Sequence, residues 1–150
     1  MESGLSGGRH RAEIRTNYQN KPRVTDFENG NVYTIAPDAY TDNGTPIARQ
    51  MASRALQMGG KKFSLSTLQI LFESDVGLVN GQGSDPQAML QVSKDGGATW
   101  GNELWRPIGK LGERMSRAVW YRFGSAYSFV FCVRITDPVK VVMLSEATDE

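Results

Sequence analysis

Phe129-Val130-Phe131-Cys132-Val133-Arg134-Ile135 carries the cleanest alternation in the chain, with Phe129, Phe131, Val133 and Ile135 recurring at every second position. Successive strand side chains point to opposite faces, so this spacing predicts a β-strand with one strongly apolar face. Cys132 alternates inside the same stretch beside bulky apolar neighbours. Packing is its expected role, because a reactive cysteine needs a partly exposed, electropositive setting. Asp137-Pro138 breaks the strand, and the apolar run from Val139 to Leu144 predicts a last strand buried on both faces.

The same period of two holds upstream. Strand-like segments lie around 103–108 and 114–123, the latter ending at Gly124, and Ala88, Leu90 and Val92 alternate with polar positions. In 63–72 (FSLSTLQILF) the apolar parity slips from odd (Phe63, Leu65) to even (Leu68, Ile70, Phe72), which predicts a β-bulge near Ser66-Thr67. Val32-Tyr33-Thr34-Ile35 is rich in strand formers, and Asn43-Gly44 is a strong hairpin signal. Ser53 to Met58 has room for one helical turn at most. Turn signals recur through the chain and no long amphipathic helix is written in it. The expected class is all-β, an antiparallel sandwich or barrel-like sheet. Residues 1–30, Gly/Ser-rich at first and then polar and irregular over 13–30 with Pro22 and Asn29-Gly30, predict an N-terminal arm, flexible or bound to a partner; residues 31–150 predict a single β domain.

Composition narrows the function classes. The 150 residues are 39% hydrophobic and 22% charged, enough for a packed core without staples. Seventeen basic against 16 acidic residues leave a net charge of +1, which argues against a dedicated nucleic-acid binder. One cysteine forms no internal disulfide and no cysteine-based zinc site. Met1 to Gly8 lacks an apolar signal core, and no apolar run is long enough to span a membrane. These features predict a protein made in a cytoplasm and assembled there.

Candidate chemistry is thin. His10, the only histidine, lies in the expected arm, a poor place for a base that must be held within hydrogen-bond reach of a nucleophile. Gly81-Gln82-Gly83 lacks the third glycine of a dinucleotide loop, and Asp38 to Gly44 lacks calcium-loop spacing. Glu73, Asp75 and Glu103 read as strand-end carboxylates rather than a catalytic pair. The chain therefore reads as non-enzymatic, with no cofactor and no metal. Lys110, Arg114, Arg117 and Arg122 interleave with Trp120, Tyr121 and Phe123, making those cations candidate DNA-facing or interface residues. The ordinary reading of the same pattern is a solvated face with snorkelling side chains.

Ser93-Lys94-Asp95-Gly96-Gly97-Ala98-Thr99-Trp100 resembles the Asp-box, Ser-x-Asp-x-Gly-x-Thr-Trp, throughout its length. Ser93, Asp95, Gly97, Thr99 and Trp100 are its expected structural residues. Asp95 accepts backbone N–H groups inside the turn, Gly97 takes an unusual backbone conformation, and Trp100 packs over the hairpin base. Sialidases also carry Asp-boxes, away from their active sites, but resemble repeated blades that a chain with one box does not supply.

A wider set of residues resembles one phage family. Asp42-Asn-Gly-Thr-Pro-Ile-Ala-Arg49, Val76-Gly-Leu78, Gly81-Gln-Gly-Ser-Asp-Pro-Gln87 and Met89-Leu-Gln91 lead into the Asp-box. Trp100-Gly-Asn-Glu-Leu-Trp105, Gly109-Lys110 and Ile135-Thr-Asp-Pro-Val-Lys-Val-Val142 follow it. Together they are similar to the C-terminal region of the tail-nozzle, or packaged-DNA stabilisation, proteins of short-tailed bacteriophages. That family usually carries a large β domain ahead of this region. The resemblance implies a structural virion protein of the tail, assembled in the host cytoplasm. It implies a homo-oligomer, six-fold in the family, below the portal and adaptor rings, in weak non-specific contact with packaged DNA. A near-neutral lining suits an exit channel, because strong phosphate binding would oppose ejection. The alternative is a carbohydrate- or receptor-binding tail module, with Trp100, Trp105 and Trp120 lining an exposed groove.

Overall fold

The computed structural model describes residues 11–73, 77–113 and 116–149. Contacts divide the chain into two compact units, Met1–Ala48 and Arg49–Glu150, so the β domain expected from residue 31 spans parts of both.

In the first unit the sequence expectation needs correction. Residues 13–30 read as irregular, yet β1 (Ala12–Tyr18) and β2 (Lys21–Asp26) form an antiparallel pair, and β3 (Val32–Thr34) adds to β2. The cause is a two-residue turn at Gln19 and Asn20, whose φ of 50° and 58° match the mirror-image turns that suit strand twist. Residues 1–10 of the expected arm lie outside the described residues. Asn43-Gly44 forms its hairpin as expected, between the short strands β4 (Thr41–Asp42) and β5 (Thr45–Pro46), with φ of 49° and 84° at the turn. Between β2 and β3, Asp26 organises the loop. It accepts from the Glu28 amide at 2.8 Å and pairs with Arg11 at 2.8 Å.

The second unit is a β-sandwich. One sheet has the order β10-β7-β12 and the other β6-β11-β8-β9, all pairs antiparallel. The strands are β6 (Arg49–Ala52), β7 (Phe63–Phe72), β8 (Gln87–Ser93), β9 (Leu104–Pro107), β10 (Arg117–Ala126), β11 (Val130–Ile135) and β12 (Met143–Asp149). The apolar faces meet in one core. Leu68, Ile70, Phe72 and Trp120 come from the first sheet, and Leu90, Phe129, Phe131 and Val133 come from β8 and from β11 with its approach. Burying each such side chain contributes roughly 1.5–3 kcal/mol. The alternation of Phe129, Phe131, Val133 and Ile135 all turns inward, and Phe123 stands edge-on to Phe131 at 5.4 Å between centroids.

Three local expectations change. The bulge lies opposite Ser66, but its extra residue is on β10: Tyr121 pairs with Thr67 and Gly124 with Leu65, leaving Arg122 and Phe123 across from Ser66 alone. The last strand begins at Met143 rather than Val139. Val139 is buried, its amide bonded to the Asp137 carbonyl in the loop after Pro138, but Leu144 is exposed, so the run is not buried on both faces. Ser53 to Met58 forms no helical turn; Leu56 instead bridges to Phe129.

Candidate functional site

The hairpin loop after β8 is the most highly organised polar element of the sandwich. Ser93 is buried at the end of β8. Its hydroxyl donates to Asp95 Oδ1 at 2.7 Å and accepts from the Gly97 amide at 2.8 Å. Asp95 then holds the far side of the turn. The Thr99 amide donates to Oδ1 at 2.9 Å and the Thr99 hydroxyl to Oδ2 at 2.6 Å. Gly96 and Gly97 have φ of 76° and 102°, a region costly for other residues. The chain closes back on β8 through the Gly101 amide and the Val92 carbonyl at 3.0 Å. Trp100 lies beside Gly97 and stays 39% exposed, so its ring covers the turn only partly. Bonds from the Thr99 hydroxyl and amide and from the Ser93 hydroxyl hold the Asp95 carboxyl well below the usual carboxylate range, against a smaller desolvation effect. A carboxylate whose oxygens are occupied within its own turn is suited to holding backbone, not to acid–base chemistry. Ser93, Asp95, Gly97 and Thr99 are therefore brought together as one structural cluster.

The basic candidates do not converge. Lys110 pairs with Asp85 at 3.7 Å in the loops, Arg117 opens β10, and Arg122 sits in the bulge farther along that strand. Arg114 lies outside the described residues. The interleaved aromatics divide as well: Trp120 and Phe123 are buried in the core, with the Trp120 indole donating to the Leu104 carbonyl at 2.8 Å, while Tyr121 is exposed. Burial of Trp120 removes it from the aromatic groove that a glycan-binding reading needs. What does converge is a group the sequence pattern hid. Arg122 and Tyr121 meet Arg106 of β9, with Ser66 and Thr67, around an open groove of about 540 Å³. Arg106 donates from Nε to the Val119 carbonyl at 3.0 Å and from Nη1 to the Trp105 carbonyl at 2.8 Å, so it ties edge strand β9 to edge strand β10. The Arg106 side chain could not be singled out from sequence, because the groove exists only where the two sheets meet.

The strand-end carboxylates are engaged elsewhere. Glu73 pairs with Lys140 at 2.8 Å and Glu103 with Arg134 at 3.2 Å. Asp75 and His10 lie outside the described residues. Cys132 is buried, and burial pushes its thiol up, against a smaller opposing effect of Arg134.

A protein-family comparison matches residues 48–148 to a family described as bacteriophage P22 Gp10, beta-sandwich. The matched span contains β6 to β11 and nearly all of β12. A search of curated proteins finds no match.

Proposed function

Since this chain belongs to the bacteriophage P22 Gp10 beta-sandwich family, we propose that it is a structural protein of a phage tail that acts in the nozzle or hub. In this reading it assembles below the portal–adaptor region, helps retain packaged DNA and forms part of the exit channel. Its place is the virion, reached by assembly in the host cytoplasm. The observation that carries the reading is the family match across the sandwich. The sandwich also offers what head-to-tail ring closure uses. Edge strands present unpaired backbone groups. On the β6 side, exposed Met51 borders a groove lined by Val133, Ile135, Val141 and Met143 together with Arg49 and Gln50. A net charge of +1 favours weak contact with DNA over a grip that would oppose ejection. The Asp95 cluster serves as a turn staple rather than as a reactive centre.

Light scattering on the full chain, alone and with isolated tails or portal–adaptor complexes, tests this. A closed ring, or a fixed stoichiometry on the tail, supports the nozzle reading. A monomer that ignores both overturns it.

A further inference from the structure

We infer that the groove between β9 and β10 is an anion site that takes a phosphodiester group of duplex DNA. Arg106 and Arg122 line one opening together, with Tyr121, Ser66 and Thr67 as the other lining residues. Neither arginine forms an ion pair with a carboxylate among the described residues. Arg106 is already oriented by its bonds to the Val119 and Trp105 carbonyls, so its position is set before any ligand arrives. Paired guanidinium groups around an open groove are a set that contacts phosphate without reading sequence.

The backbone supplies an independent argument. Arg122 has φ of 66° inside the β10 bulge. Bulges that need this conformation favour glycine, since an L-residue there crowds its own Cβ. A long cation at a position whose backbone favours glycine points to a use for the side chain. The same observation provides a test that leaves the fold intact, because Arg122→Gly removes the guanidinium while relieving the turn.

The source of the anion rests on the proposed tail role; the groove's affinity does not. Fluorescence anisotropy of a short labelled DNA duplex, titrated with the full chain at low salt, measures it. Wild type is expected to bind weakly. Arg122→Gly together with Arg106→Gln should lower affinity about tenfold and reduce the salt slope by about 1 to 2. Arg122→Gly alone should lower affinity several-fold with no loss of thermal stability. Arg15→Gln, which removes the same charge from exposed β1, should change nothing. Undiminished binding by Arg122→Gly overturns the site, as does an equal loss in Arg15→Gln. Saturation by inorganic phosphate without any DNA affinity overturns the assignment to DNA. The solution mass and tail stoichiometry of Arg122→Gly, measured in parallel, separate a failure of this site from a failure of the tail role.

Discussion

Residues 12–46 and residues 49–149 are both antiparallel β, yet different forces fix their registers. In the first unit the register is set at the turns. Gln19-Asn20 and Asn43-Gly44 each place two residues at positive φ, and the Arg11–Asp26 pair ties the start of β1 to the end of β2. Val24 is buried there, while Ile14, Tyr18, Val32 and Ile35 remain exposed. In the second unit two sheets bury opposing faces, and a one-residue slip would turn that apolar set to solvent. The family match begins at residue 48, so it follows the part of the chain built on a core. A core constrains residue type at many positions together; a turn constrains only one or two.

The sharpest test of that contrast is Trp120→Ala. The substitution empties the centre of the sandwich and strands the Leu104 carbonyl, and it should cost about 3–5 kcal/mol in denaturant unfolding. A loss below about 1 kcal/mol would mean that the sandwich, too, is held mainly by its turns. Asp95→Ala comes next. It removes both acceptors of the Thr99 bonds, so the midpoint of unfolding should fall while the mass and tail stoichiometry of the folded protein stay unchanged. A variant of undiminished stability that lost one binding activity would move Asp95 from staple to site. The sign of its pH dependence follows from the bonds. The folded-state pKa is depressed, so the stabilisation is fully present above the unfolded carboxylate value and is lost as pH falls toward the folded one. The stability gap between wild type and Asp95→Ala should therefore hold at neutral pH and narrow below about pH 4. A gap unchanged on acidification would show that the carboxylate charge is not what holds the turn.

What sequence made legible follows the same contrast. The Phe129 to Ile135 alternation was readable because one face of its strand packs into the core. The slip in β7 was visible for that reason too. Which strand carried the extra residue was not, because the bulge is a property of the pair, and Arg122 gives no local sign of its positive φ. Asn43-Gly44 announced its hairpin through residue type. Gln19-Asn20 did not, since glutamine rarely takes that conformation, and the mostly exposed β1 supplies no burial alternation to betray a strand. The polar cluster after β8 was readable from spacing because all its partners lie within six residues of Ser93. The Arg106–Arg122 groove was not, because it forms where edge strands of two different sheets meet. Trp120 and Phe123 stand among the basic residues in sequence, yet both are buried in the core.

The smallest effects belong to the turn-built unit and probe it most directly. Gly44 stands at φ 84° with open space around the missing Cβ, so Gly44→Ala adds backbone strain and no clash. A cost of about 1 kcal/mol should appear as a roughly fivefold loss of exchange protection at the Ile47 amide, which bonds the Tyr40 carbonyl across the hairpin. Gln19→Gly works in the opposite direction. It relieves positive φ in the folded turn but frees the unfolded chain, and the two contributions leave a net gain of only a few tenths of a kcal/mol. Protection of the β1–β2 amides near the Tyr18–Lys21 pair reads that balance. A gain above about 1 kcal/mol would make turn strain the dominant control of this sheet. A loss would mean that the Gln19 side chain, rather than the turn backbone, holds the first hairpin together.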